Sequence, residues 1–390
     1  MRHVFIIGSK GIPAAYGGFE FFVDQLIQHQ KEKEIQYHVA CMNSEQKEFF
    51  YHDAHCFSVQ VPQMGSAKAV YYDLAAFQYC LRYIKKHDCK NAIVYVLACR
   101  IGPFISMCKR RLRKYAGILF VNPDGHEWMR SKWNAAIKKY WKISERYMVK
   151  AADLLICDSK NIEDYIRKEY RNYGPTTTYI AYGTEVYEEN SFSDKAKNTY
   201  EEWLSKHGVK PGEYYLIVGR FVPENNYEFM ISEFMKSTTK KDLVIITNVE
   251  KNKLYQQLRN KTKFEHDKRI KFVGTVYNTE LLGEIRKGAT AYLHGHSVGG
   301  TNPSLLGAMA QTQVNLLYDV GFNREVAEET ALYFNLENGS LVHAMQRAEA
   351  LNRDERNEWE KKAKQRIREA FSHEKITSMY EHIFMQEKKR

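Results

Sequence analysis

Glycine and titratable residues of this 390-residue chain gather in five short segments, each following an apolar run of four or five residues. Asn122–Trp128 reads NPDGHEW and sets Asp124, His126 and Glu127 on one short turn. Such a trio can orient a hydroxyl, accept its proton or stabilise a positive centre, and Trp128 beside it offers a stacking face. Asp124 could equally cap a helix by bonding backbone amides. Asp158 and Ser159 follow the Leu154–Cys157 run, where either an N-cap or a substrate contact suits them. In Gly219–Asn226, GRFVPENN, Gly219 lets the chain turn and Arg220 can grip a diphosphate through two nitrogens. A guanidinium there would neutralise charge on a departing nucleoside diphosphate, whereas the plain alternative is a surface ion pair with Glu224.

The other two segments are glycine loops. Gly8, Gly11, Gly17 and Gly18 lie between the first apolar run and a helical pattern that begins with Phe19 and Glu20. Glycine permits close backbone approach, and a helix start favours anions. A dinucleotide site is excluded, because the spacing is not G-x-G-x-x-G and the second apolar run ends without an acidic residue for a ribose. In the last segment Gly299 and Gly300 precede Thr301, Asn302 and Ser304, with Pro303 suited to a first helical turn. Hydroxyls and amides there can hold phosphate without adding charge. His294 and His296 hint at a metal, but no further ligands stand nearby, so no metal and no cofactor is expected.

These segments need a scaffold that brings them together. Short apolar runs at Val4–Ile7, Tyr37–Cys41, Ala92–Val96, Ile118–Val121, Leu154–Cys157 and Thr178–Ala181 alternate with helical patterns such as Phe19–Gln30, Ala69–Lys86, Ala135–Lys150 and Ile162–Tyr170. A polar stretch, Tyr187–Asn198, reads as a linker, after which the alternation restarts at Tyr214–Val218, Leu243–Thr247, Ile270–Val273, Ala291–His294 and Val314–Leu317. Tyr227–Ser237, Thr279–Lys287 and Pro303–Gln311 carry the helical patterns between them, and a charged helical tail runs from Asn352. This is an α/β chain of two Rossmann-like halves with parallel sheets, whose ligands bind beyond the carboxyl ends of the strands. The expected domains are residues 1–186, which take the acceptor, and 187–360, which take the nucleotide, with residues 361–390 a helix crossing back to the first.

Hydrophobic residues at 44% and charged residues at 27% fit an ordinary globular protein. No apolar run approaches the roughly 18–20 residues that cross a bilayer, and Val4–Ile7 is too short for a signal peptide, so a cytoplasmic location is expected. Seven cysteines, without a C-x-x-C pair, read as reduced core residues. The net charge of +11 concentrates in two runs. One holds Arg110, Arg111 and Arg113; the other holds Lys132, Lys138 and Lys139 with Trp141 among them. Cations mixed with aromatics suit an anionic membrane surface, though a solvated helix face reads the same way. No nucleic-acid reading motif accompanies them.

Taken in order, the loops resemble those of the retaining GT-B glycosyltransferases. GIPAAYGGFE (Gly11–Glu20), NPDGHEW, GRFVPENN and GTNPS (Gly300–Ser304) resemble, more narrowly, the bacterial β-1,4-rhamnosyltransferases of capsule and cell-wall polysaccharide assembly. The resemblance spans nearly the whole chain. It implies two Rossmann-like domains facing across a cleft, and transfer of L-rhamnose from dTDP-β-L-rhamnose to glucose or N-acetylglucosamine on an undecaprenyl-diphosphate carrier. Retention would follow a front-face path in which the leaving diphosphate helps deprotonate the acceptor. Arg220 would assist the diphosphate, Gly17 and Gly18 would lie close to the donor phosphates, Gly219, Asn225, Gly300, Thr301, Asn302 and Ser304 around the donor, and Asp124 and His126 near the sugar and acceptor. Phe19, Glu20, Glu127, Trp128 and Asp158 would contact the acceptor. The enzyme would sit peripherally on the cytoplasmic face of the membrane, against its anionic inner leaflet. The sequence departs from the broader superfamily at Asn225, where a lysine is usual and which the narrower group shares. It departs again at Gly299 and Gly307, where two glutamates are usual; the loss of the second removes the carboxylate expected on the ribose. Another nucleotide hexose, or a non-catalytic membrane-associated scaffold role, are the competing expectations.

Overall fold

Strands that are apolar along their whole length must be covered on both faces, which a parallel sheet flanked by helices provides. The computed structural model describes every residue except 15–16, 131–132, 188–192, 251 and 387–390. Its chain divides into two units, Met1–Gly183 with His373–Arg390, and Thr184–Ser372.

The first unit runs β1 (Arg2–Ile7), α1 (Gly18–Gln28), β2 (Ile35–Met42), β3 (Glu48–Tyr51), β4 (Ala54–Val59), α2 (Lys68–His87), β5 (Ile93–Leu97), α3 (Gly102–Arg113), β6 (Ile118–Asn122), α4 (Ala135–Ala151), β7 (Leu154–Cys157), α5 (Lys160–Glu169) and β8 (Thr177–Tyr179). The sheet order is β3-β4-β2-β1-β5-β6-β7-β8, parallel except for the β3–β4 pair. That pair is the element absent from the sequence reading. β3 is short and alternates exposed with half-buried residues at the sheet edge, so it lacks the apolar run that marks the others. All seven cysteines are buried and unpaired, as a reduced core requires.

The second unit runs α6 (Asp194–His207), β9 (Tyr214–Val218), α7 (Tyr227–Lys236), β10 (Asp242–Ile246), α8 (Lys253–Thr262), β11 (Ile270–Phe272), α9 (Thr279–Lys287), β12 (Ala291–His294), α10 (Pro303–Met309), β13 (Asn315–Tyr318), α11 (Gly321–Ala327), β14 (Leu332–Phe334), α12 (Ser340–Ala350) and α13 (Arg353–Phe371). Its six parallel strands lie in the order β11-β10-β9-β12-β13-β14. Of the expected linker, residues 188–192 lie outside the described residues. Ser193–Asn198 are not linker: the Ser193 side chain caps α6 by accepting from the Ala196 amide, and Ala196, Tyr200, Trp203 and Leu204 bury its inner face.

The last helix, α14 (His373–Met385), belongs to the first unit. Ile376, Tyr380 and Phe384 bury there, Tyr380 against Phe22 and Tyr95, and Phe384 against Tyr37 and Phe120. Glu381 accepts the Lys31 and Glu32 amides just after α1. Residues 361–371, which precede it, are part of α13 in the second unit.

Both sheets reverse their winding beside a first strand, at β1/β5 in one unit and β9/β12 in the other. In doubly wound sheets ligands enter at that crevice. The loops after β1, β5, β9 and β12 are therefore the ones to inspect.

Candidate active site

In the second unit the loops after β9 and β12 are tied into one knot. The Asn226 side chain donates to the Gly295 carbonyl at 2.7 Å, and the Ser297 amide and hydroxyl donate to the Glu224 carbonyl at 2.9 and 2.8 Å. Ser304 Oγ and the Tyr292 hydroxyl both reach the Val218 carbonyl, at 2.9 and 3.1 Å. Gly295 cannot carry a side chain, because a Cβ would stand 2.5 Å from the Asn225 carbonyl oxygen. Asn225 is buried and donates to the Arg220 carbonyl at 2.7 Å, so it shapes the turn that presents Arg220.

Arg220 itself is exposed, and its side chain forms no hydrogen bond or ion pair among the described residues. The surface pair with Glu224 is not made. Across the knot, Asn302 caps α10 by accepting from the Ser304 amide, Thr301 is buried, and Gly299 and Gly300 are partly exposed. His294 is buried and stacks on His296 at 4.2 Å; burial, with His296 close by, holds its pKa well below the ordinary value, so its ring is neutral. Among the described residues no group of three or more His, Cys, Asp or Glu side chains is arranged to hold a metal ion.

Gly307 lies in α10, and its missing side chain is accounted for by Arg286 of α9. A Cβ there would stand 2.5 Å from one Arg286 guanidinium nitrogen, Nη1. Neither sequence pattern nor spacing marked Arg286, since a lone arginine in a helix carries no signal until its surroundings are known.

In the first unit the NPDGHEW segment leaves β6 and forms a tight, left-handed turn. Asp124 and His126 have φ of 59° and 48°, a region that non-glycine residues occupy at a cost of about 1 kcal/mol each. Asn122 Oδ1 accepts from the Asp124 amide and Asp124 Oδ1 from the Gly125 amide, both at 2.8 Å, which holds the turn. The helix that follows is capped by Asn134 instead. His126 is half-buried with its ring 4.2 Å from that of Tyr165. Burial lowers its pKa, and Lys142 lowers it further against the pull of Asp124, which favours a neutral imidazole able to accept a proton. Glu127 is occupied by Arg130 and by the Trp133 indole at 2.9 Å. Trp128 is half-buried with the Lys142 ammonium 4.6 Å from its ring centre. Asp158 is buried ahead of the Ser159 cap; burial raises the pKa of the neighbouring Tyr182, and Asp158 raises it further.

The first glycine loop is held from within. The Lys10 amide donates to Glu20 Oε1 at 2.7 Å and the Ala14 amide to Asp24 Oδ2 at 2.8 Å. Gly17 has φ 122°, and a Cβ there would collide with the Glu20 carboxylate. Glu20 is thus buried at the start of α1, Gly18 is exposed and Phe19 is half-buried, while residues 15–16 of the loop lie outside the described residues. A carboxylate already meets the positive end of this helix, so an anion would be repelled there. Arg100, after β5, donates to the Gly8 carbonyl at 2.7 Å and pairs with fully buried Asp73 at 3.2 Å. Burial raises the Asp73 pKa to about 6, although the Arg100 guanidinium opposes this.

Arg110, Arg111 and Arg113 are exposed on α3. Lys139 is exposed on α4, whereas Lys138 and Trp141 are half-buried and Lys132 lies outside the described residues. Phe104, Met107, Ile143 and Tyr147 complete the exposed apolar set on these two helices, and the sequence reading missed all four.

Residues 1–185 match a domain described as of unknown function, DUF1972, and residues 199–366 match the domain described as glycosyl transferases group 1. The glycosyltransferase match falls within the second unit. Solved structures agree on the fold. The chain is 16% identical to sucrose-phosphate synthase from Thermosynechococcus elongatus, with a TM-score of 0.78 over 98% of each chain. It is 13% identical to an E. coli trehalose-6-phosphate structure bound with UDP-2-fluoro glucose, with a TM-score of 0.73 over 99% of each chain. It is 11% identical to Anabaena HepE, solved in complex with UDP, with a TM-score of 0.68 over 98% of this chain and 99% of that one. No curated protein matches the sequence. The fold is therefore GT-B, and the Arg220 and Ser304 loops lie within the residues that match glycosyl transferases group 1.

Proposed function

We propose that the chain is a retaining rhamnosyltransferase that moves L-rhamnose from dTDP-β-L-rhamnose to glucose or N-acetylglucosamine on an undecaprenyl-diphosphate carrier, at the cytoplasmic face of the membrane. The observation that carries the transfer reading is Arg220: a guanidinium without a partner among the described residues, on a turn held by Asn225 and tied to the Ser304 loop within the residues that match glycosyl transferases group 1. The rhamnosyl part rests on the four loop motifs. As the anomeric carbon–oxygen bond breaks, Arg220 offsets the charge that collects on the dTDP leaving group. The acceptor oxygen bonds to the same face, and its proton passes to the departing diphosphate. Neutral His126 and Asp124 orient the acceptor hydroxyl. The carboxylates of Glu20 and Asp24 suit the first glycine loop to sugar hydroxyls rather than phosphate, so Gly17 and Gly18 line the sugar side of the donor. No metal or organic cofactor takes part.

The test is a donor panel: dTDP-rhamnose, dTDP-glucose, UDP-glucose, UDP-N-acetylglucosamine and GDP-mannose, each with a synthetic lipid-diphosphate sugar, and product read by mass spectrometry. Transfer from dTDP-rhamnose at least about tenfold faster than from the others is expected. Faster transfer from another donor would replace the rhamnosyl reading. Absence of transfer from every donor, together with absence of nucleotide binding, would sink the enzyme and leave a scaffold.

A further inference from the structure

Arg286 is 9% exposed, and its hydrogen bonding is thin. Its Nη1 donates to the neutral Gln311 side chain at 3.3 Å, and its Nε has no partner. No carboxylate pairs with it among the described residues. Arginine stays protonated in proteins, and a buried charge without a counter-ion costs several kcal/mol. Burial does lower its pKa, with only the neighbouring Tyr292 and Tyr187 opposing. A chain that keeps such a cation has either accepted an uncompensated charge or leaves its completion to a ligand.

The surroundings favour a ligand. The guanidinium lies over Gly307, where any Cβ would come within 3.0 Å of Nη1, Cζ and Nη2. Glycine inside a helix costs about 0.5–1 kcal/mol relative to alanine, so stability is surrendered to seat the guanidinium against a bare stretch of α10. Arg286 also sits near enough to Tyr292 to feel its hydroxyl. That hydroxyl bonds Ser304 Oγ at 2.9 Å and the Val218 carbonyl, the knot that also carries the Arg220 turn.

We propose that Arg286 is a further donor-binding residue, whose guanidinium, seated over Gly307, takes a phosphate oxygen of the nucleoside diphosphate. The assignment rests on the nucleotide-sugar reading above and deepens it. The ligand supplies the missing counter-charge, so Arg286 turns a cost in the empty protein into affinity in the loaded one.

The test measures binding of dTDP, UDP, thymidine and inorganic pyrophosphate to the full chain by calorimetry, with melting temperature followed in parallel. Arg286→Met should weaken the better-bound of dTDP and UDP by about tenfold or more, the value of a charged hydrogen bond, with thymidine unchanged. The empty variant should melt no lower than wild type, which a purely structural arginine would not allow. Gly307→Ala, which leaves Arg286 in place but crowds it, should weaken the nucleoside diphosphate in the same direction, and it carries the test if Arg286→Met fails to fold. Unchanged diphosphate affinity in these variants, while wild type binds, overturns the assignment and leaves the function intact. Equal losses for thymidine also overturn it, by moving the contact off the phosphates. Wild type that binds neither nucleoside diphosphate overturns both.

Discussion

An arginine on a loop usually pairs with the nearest acid, and among the described residues Arg220 does not. Asn225 holds its backbone and Tyr227 donates to the Gly219 carbonyl at 3.0 Å, so the turn is fixed while the side chain is left for something outside the chain. That division of labour predicts the mutant. Arg220→Ala should leave the melting temperature within about 1 °C, because exposed side chains contribute little to stability. It should lower kcat by roughly 10²–10³ at saturating donor, the usual worth of a group aimed at developing charge. Arg220→Lys should recover part of this, since a point charge neutralises without the two-nitrogen grip. A fall in affinity alone, with kcat unchanged, would make Arg220 a binding residue and not a catalytic one. The same scale shows what sequence could and could not tell. Asp124, His126 and Arg220 stand out by type and position after a strand. Asp24 and Arg286 act through partners distant in sequence, Ala14 and Gln311, so nothing in their local pattern announces them.

Helices α3 and α4 show the limit at the next scale. Gly102, at the start of α3, lies so close to the Ser144 backbone of α4 that no side chain fits, and Ser144 Oγ accepts the Gly102 amide at 2.8 Å while donating to the Cys99 carbonyl. The two helices pack side by side, and each exposes apolar residues among cations: Phe104 and Met107 with Arg110 and Arg111 on α3, Ile143 and Tyr147 with Lys139 on α4. The sequence showed two separate basic runs; the packing joins them and adds the apolar residues. Lys109, next to the first run, turns inward to Asp153 at 2.8 Å. An apolar patch ringed by cations is what an anionic bilayer surface binds. Sedimentation with phosphatidylglycerol vesicles should recover the protein at low salt and lose most of it at high salt. Replacing Arg110, Arg111 and Arg113 with Gln should remove about 1 kcal/mol of binding per charge. Phe104→Ser with Ile143→Ser should abolish whatever binding survives high salt. Equal binding to neutral vesicles would rule the cationic part out. Strands and helices with strong periodicity, such as β9, β12 and α9, were legible to within a residue. β3, β14 and the start of α6 were not, because edge strands and polar helices depend on neighbours for their burial.

For the whole molecule the decisive feature is that the chain leaves the first unit at Gly183 and returns to it at His373. The alternation of strands and helices makes two parallel sheets readable from sequence, and the charged tail makes a returning helix readable too. What sequence hides is the point of return, since α13 and α14 meet at Ser372 with no glycine or proline to separate them. Once Ile376, Tyr380 and Phe384 are seen to be buried, the consequence is energetic. Each such side chain is worth roughly 1.5–3 kcal/mol, so the three together approach the roughly 5–15 kcal/mol that keeps a domain folded. A fragment ending at Gly183 should therefore fail to fold, although it contains every strand of the first sheet. A chain ending at Ser372 should keep the second unit intact and lose the first. Hydrogen–deuterium exchange would show this directly: amides of β1, β2 and β5 should lose protection by about 10³-fold or more, while β9 and β12 keep theirs. Phe384→Ala in the full chain should move the same way by a smaller step, about 3–5 kcal/mol. If the first unit keeps its protection after the truncation, α14 is a passenger on a sheet that is stable without it.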